Sequence, residues 1–169
     1  MDHTTCAIVY SSNTGNTRQL AEVVQRTLGS AACYLGGPGD AVPQVKRLYI
    51  GFWTDKGSCD PTLTAFLQTL RNTEVFLFGT AGFGGDPAYF AQILDRVRQN
   101  LDSSVTVVGS FMCQGKMPAS VRTRYEAMRG KPGVPDVDAM IANFDRAVTH
   151  PDADDCAALA QQVRDSLPL

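Results

Sequence analysis

The sequence has no CxxC pair, no run of basic residues and no internal repeat, low-complexity segment or linker. No apolar stretch approaches the ~18 residues that span a bilayer. The opening Met1-Asp2-His3-Thr4-Thr5 carries no basic-then-apolar leader. The expectation is one domain over residues 1–169, cytoplasmic and without membrane insertion. A net charge of −2 with no basic tract argues against nucleic acid as a partner. The five cysteines (Cys6, Cys33, Cys59, Cys113, Cys156) are odd in number and scattered. Reduced thiols fit that pattern better than disulfides or a zinc site. The two histidines, His3 and His150, stand far apart without partners, so no metal is expected.

What is present is an alternation of apolar runs and helical periodicities. Cys6–Tyr10, Ala31–Leu35, Arg47–Trp53, Val75–Phe78 and Val105–Met112 read as strands. Helical stripes follow: Leu20, Val23, Val24 and Leu28, then Leu63, Phe66, Leu67 and Leu70, then Phe90, Ile93, Leu94 and Val97. Further helices are expected near Ala119–Met128 and over Asp136–Val148, where Val148 falls in the inward register. Another begins after the acidic Asp152–Asp155 run, which suits a helix N-terminus. A single helical turn is expected at Asp40–Gln44.

Near-continuous apolar strands alternating with helices imply an α/β fold, a parallel sheet covered on both faces. Right-handed crossovers place every strand-to-helix turn at one sheet edge. In a five-stranded, doubly wound sheet of order 2-1-3-4-5, strands one and three flank the switch point where ligands bind. The loops after strands one, three and four are the most distinctive in the chain.

The first, Ser11-Ser12-Asn13-Thr14-Gly15-Asn16-Thr17, joins a strand to a helix N-terminus. It offers hydroxyls and backbone N–H groups to an anion, and the helix dipole favours negative charge there. It has neither the lysine of a GxxxxGK[ST] loop nor a GxGxxG pattern. Arg18 is its only cation. A phosphate held by neutral donors is the guest this chemistry suits.

Ser12-x-Thr14-Gly15-Asn16-Thr17, directly after a strand near the start of the chain, resembles the phosphate loop of the flavodoxins. The resemblance covers most of the chain and implies a flavodoxin-like three-layer sandwich binding FMN, with Ser11 to Thr17 around the phosphate. It further implies that Phe52, Trp53, Thr54, Asp55, Lys56 and Gly57 flank the isoalloxazine ring. Trp53 would stack there, and Gly57 would form a bend whose peptide turns to the flavin N5. Thr80, Ala81, Gly82, Phe83, Gly84 and Gly85 would close the other face, with Phe83 stacking. Lys56 departs from the common pattern, where an acidic or small residue is usual. The segments FWTDKGSCD, FGTAGFGG and SFMCQGKMP are similar to a subgroup of short flavodoxin-like proteins of anaerobic bacteria, associated with bilirubin reductase. That likeness implies a monomer that takes electrons from a donor protein and delivers them singly to a reductase acceptor.

Plainer explanations exist for several residues. Hydroxyl-rich turns are common helix caps, and Trp53 could be core. Phe83 sits among glycines, so packing alone accounts for it poorly. Cys113 beside Lys116 resembles an activated thiol, but a cysteine ending a strand is more often a small buried hydrophobe. Cys59 reads as more exposed. Stacking by Trp53 and Phe83, with Asp55 and Asp60 nearby, would disfavour an anionic reduced flavin, and Lys56 would oppose that effect. An NAD(P)H-dependent FMN or quinone oxidoreductase of the same fold is the rival function. A receiver domain needs aspartates at strand one, and Ile8-Val9-Tyr10 has none.

Overall fold

The computed structural model describes residues 5–84, 86–134 and 136–168. Gly85, expected in the third loop, and His3 lie outside the described residues. Five strands, β1 (Cys6–Tyr10), β2 (Ala32–Gly36), β3 (Arg47–Trp53), β4 (Glu74–Ala81) and β5 (Thr106–Gln114), form one parallel sheet of order β2-β1-β3-β4-β5. Among the described residues six α-helices connect and cover it: α1 (Asn16–Leu28), α2 (Pro61–Thr69), α3 (Pro87–Arg98), α4 (Ala119–Met128), α5 (Val137–Ala147) and α6 (Ala153–Asp165). The fold class and strand order match the expectation. Strands β4 and β5 run further toward the cleft than the apolar pattern reached, because Gly79–Ala81 and Cys113–Gln114 continue the ladder.

The period-two alternation of the strands sorts side chains into two layers. On one face Ile8, Tyr49, Phe76 and Phe78 pack against Leu20 and Val24 of α1 and Leu159 and Val163 of α6. On the other, Val9, Ile50, Phe52 and Leu77 pack against Leu63 and Leu67 of α2 and Ile93 and Val97 of α3. All of these are buried, which is why β3 and β4 read as nearly unbroken apolar runs. A smaller third cluster joins Tyr125 of α4 to Val137, Ile141 and Phe144 of α5. Val148, expected inward, is 51% exposed because α5 ends at Ala147.

Two glycines let the central strands carry large rings. Gly51 pairs with Phe78 and Gly79 with Phe52 across β3 and β4. A Cβ on Gly51 would lie 2.4 Å from the Phe78 ring and 3.0 Å from the Thr17 methyl; on Gly79 it would lie 2.3 Å from the Phe52 ring. The two rings occupy opposite faces of the sheet.

The helix starts follow local chemistry. Asp60 accepts from the Leu63 N–H at 2.9 Å, ahead of Pro61 at the first helical position. Asp86 does the same for Ala88 ahead of Pro87. Asp152 and Asp155 form a reciprocal capping box at α6. Asp40–Gln44 is a turn and extended chain rather than a helical turn. Pro43 has no N–H to continue a helix, and the Val42 N–H closes a short turn on the Gly39 carbonyl at 3.2 Å.

Candidate functional site

Each of β1, β3, β4 and β5 ends at the same sheet edge, and their loops surround an open cleft of about 450 Å³. Asn13, Thr14 and Asn16 line it from the first loop. Trp53, Thr54, Lys56 and Gly57 line it from the second, and Thr80, Ala81, Gly82 and Phe83 from the third. Phe83 is 42% exposed, unusual for so large an apolar side chain.

Several expected residues build the cleft instead of lining it. Ser12 Oγ accepts from the Gly15 N–H at 3.1 Å and the Arg18 N–H at 3.4 Å, capping α1 from within its own loop. Gly15 has φ +96°, which turns the chain into that helix. The Ser11 hydroxyl donates to the Asp60 carboxylate, tying the first loop to the start of α2. Thr17 is fully buried, its hydroxyl 3.2 Å from that of Thr80, which joins the first loop to the third. Gly84 packs against Gln114. Phe52 does not reach the cleft: strand alternation sends Trp53 toward it and Phe52 into the core, with no exposed surface.

The second loop is a tight turn. The Asp55 and Ser58 backbones exchange hydrogen bonds at 2.7 and 3.1 Å. The two residues between them, Lys56 (φ +51°) and Gly57 (φ +83°), both have positive φ. Gly57 tolerates that conformation and Lys56 is strained in it. The Gly57 carbonyl accepts from the Arg96 guanidinium at 3.3 Å. Both the N–H and the hydroxyl of Thr54 donate to the Thr80 carbonyl, at 3.0 and 2.8 Å.

A fourth wall comes from the chain after β5, with Gly115, Lys116, Met117 and Pro118, then Val121 and Arg124 of α4; Tyr89 of α3 also contributes. The same topological rule that gathers the other three loops applies to this one. Its QGKMP sequence draws attention first to the neighbouring thiol, which hides its role as a wall. Arg124 lies on a helix whose register is not evident from an irregular stretch. The Asn16 side-chain amide donates to the Lys116 carbonyl at 2.8 Å, and the Lys116 N–H donates to the His150 carbonyl at 2.9 Å. Behind Gly82, the side-chain amides of Gln114 and Asn143 both donate to its carbonyl at 3.0 Å, and Gln114 also donates to Asn143 Oδ1 at 2.9 Å.

Neither Cys113 nor Cys59 is an activated thiol. Burial pushes the Cys113 thiol well above its ordinary value, and the carboxylates of Asp155 and Asp152 add to the effect. Cys59 is buried, contrary to the sequence expectation, and burial raises its pKa as well, with Thr64 Oγ1 at 3.2 Å opposing. His150 also has a partner that the sequence hid: its Nδ1 lies 2.6 Å from Asp155 Oδ2. Asp152 is close to both, and the capping box occupies the two carboxylates.

A doubly wound parallel sheet with a hydroxyl-rich loop at its switch point defines an α/β ligand-binding protein of the flavodoxin class. Residues 7–164 match the family model described as flavodoxin domain, and the chain belongs to that family. It is similar to the flavodoxin-like domain-containing protein BilS of Clostridium symbiosum, with 41% identity over 181 aligned positions, 96% of this chain and 95% of that protein. Among solved structures it resembles an NADH:FMN oxidoreductase in its apo form, with TM-score 0.57 and 16% identity over 96% of this chain and 88% of that one. It also resembles the two-electron reduced flavodoxin of Megasphaera elsdenii, with TM-score 0.52 and 19% identity over 85% of this chain and 100% of that one. These structural likenesses concern the fold. No helix among the described residues is long and apolar enough to cross a membrane.

Proposed function

We propose that the cleft holds FMN and that the protein is an electron carrier supplying a partner reductase. The observation that carries this reading is the meeting of a lysine-free, hydroxyl-rich loop with an aromatic residue on each of two further loops around one cleft. A phosphate would sit at the α1 N-terminus, where the first-turn N–H groups have no intrahelical partner. Ser12 Oγ now accepts the N–H groups of Gly15 and Arg18 that a phosphate oxygen could take. Arg18 itself is turned to Glu22, 3.4 Å away, so neutral donors serve the anion.

Asn16 supplies a further fit. Its Oδ1 is buried in the cleft wall without a hydrogen-bond partner, while its amide nitrogen is committed to Lys116. An unpaired acceptor there repels a phosphate oxygen and suits a hydroxyl of a sugar or polyol chain. FMN carries both groups. Thr54 and Thr80 hold the second and third loops together, so Trp53 and Phe83 stand on backed segments. The bound flavin supplies the redox chemistry; the protein supplies position, exclusion of water and the local charge.

Membership of the flavodoxin family supports the carrier reading, and a bilirubin reductase is the acceptor that the sequence resemblance implies. Titration of the purified chain with FMN and with riboflavin, followed by flavin fluorescence, tests the cofactor. One FMN should bind per chain, more tightly than riboflavin. No saturable FMN binding defeats the reading. Bleaching of the FMN-loaded protein by NADPH alone would replace the carrier with the oxidoreductase.

A further inference from the structure

We infer that the mouth of the cleft is a docking surface for an acidic redox protein. This rests on the proposed function only for the direction of electron flow. Three cations line the cleft, Lys56, Lys116 and Arg124, and among the described residues no aspartate or glutamate does. All three are exposed, and none forms an ion pair among the described residues. Elsewhere Arg18, Arg47, Arg71, Arg122 and Arg129 are paired with carboxylates. Arg26, Lys46, Arg96, Arg98, Lys131, Arg146 and Arg164 also form no ion pair among the described residues, but none of them lines the cleft; three unpaired cations meet there on a chain whose net charge is −2.

Local fields reinforce it. The N-termini of α1 to α4 open toward this edge, since each follows a strand that ends there. The carboxylates that cap α2 and α3 are engaged, and Asp55, beside Lys56, is half-buried and is not among the residues lining the cleft. Asp60 is buried and takes the Leu63 N–H and the Ser11 hydroxyl, and Asp86 caps α3. α1 and α4 have no acidic residue in the first turn.

A protein occupant fits better than a second small anion. At about 450 Å³ the cleft is in the lower part of the range for one small-molecule ligand, roughly 300–1,000 Å³. The cations come from three separate segments, the β3–α2 turn, the β5–α4 loop and α4 itself. All three line the same cleft as the exposed Phe83. An apolar contact within a charged rim is the layout of a transient protein interface.

Overall charge and local charge make opposite predictions. A net negative chain should prefer a basic partner; this rim should prefer an acidic one. Binding of cytochrome b5 (acidic) and cytochrome c (basic) to the full chain is measured by microscale thermophoresis, before and after FMN loading, from 20 to 300 mM salt. Cytochrome b5 should bind in both forms, with affinity falling by about tenfold or more as salt rises. The K116E/R124E variant should lose that binding. The R26E/R98E variant changes net charge equally at exposed positions in the last turns of α1 and α3, and should keep it. Preference for cytochrome c overturns the proposal. So does loss of cytochrome b5 binding on FMN loading, which would mean that the phosphate consumes the cations. Competition by NADPH that disappears in R124E would assign the cations to a nucleotide instead. Failure to load FMN defeats the cofactor reading, while the unloaded chain still tests the surface.

Discussion

The side-chain amide of Asn143 donates to the Gly82 carbonyl at 3.0 Å, across 61 residues of sequence. The contact reaches from α5 to the loop that carries Phe83. Asn143 is buried, and its Oδ1 is satisfied by Gln114, so the node has no unpaired group. Asn143→Ala should destabilise the fold by about 1–3 kcal/mol and weaken FMN binding. Asn143→Asp should be worse, because it sets a carboxylate against a carbonyl in a buried site. Urea unfolding with parallel FMN titration checks the order wild type, N143A, N143D.

The two threonines of the first loop should separate by ligand. Thr14 is exposed on the cleft, whereas Thr17 is fully buried against Thr80. Thr14→Val should weaken FMN by roughly tenfold, the worth of one hydrogen bond to a charged group, and leave riboflavin little changed. Thr17→Val should lower stability and weaken both flavins. Equal loss of FMN and riboflavin in Thr14→Val would place the phosphate elsewhere.

Lys56 is held at φ +51°, a conformation that asparagine and glycine accept more readily. Lys56→Asn should raise stability by about 0.5–1 kcal/mol through the turn alone. The same change removes one cation from the rim, so cytochrome b5 binding should fall while the thermal midpoint rises. The two measurements on one variant separate backbone strain from charge.

Acid should weaken the fold below about pH 4. The Asp152 carboxyl lies under its ordinary 3.8, chiefly because the Asp155 N–H donates to its charged form, with a smaller contribution from His150. A folded-state value below the unfolded one gives stability that is complete above the unfolded pKa. It is lost as pH falls through the folded one. Asp102 and Asp145 are lowered too, first by hydrogen bonds from Ser104 and from Arg122 respectively. The urea midpoint should hold near pH 5–7 and decline below pH 4. Asp152→Ala should show a shallower decline.

The fold and three of the four cleft walls were legible because they rest on local signals. Strand periodicity, proline at helix starts and the hydroxyl-rich turn after β1 can each be read within a few residues. The fourth wall belongs to the same edge by topology, yet Gly115–Pro118 carries no comparable turn chemistry. Asn143 was hidden for a different reason. It sits beside Phe144 in an amphipathic helix, and its partner lies 61 residues away with three elements between. Phe52 and Trp53 are adjacent and both aromatic, so only strand pleat decides which faces the cleft. His150 and Asp155 were invisible as a pair because the chain turns between them, and their contact is a property of that turn.

The reciprocal seating of Phe78 over Gly51 and Phe52 over Gly79 restricts how this chain can drift. Four positions on two strands form one unit, and none can change size alone without forcing a ring aside. A residue larger than glycine at position 51 also meets the Thr17 methyl, so the disturbance reaches the ligand loop. Substitutions there should accumulate only as compensated pairs, such as Gly51→Ala with Phe78→Leu. The centre of the sheet should thus record ancestry through coupled exchanges, while the rim of the cleft is free to vary residue by residue as its partners change.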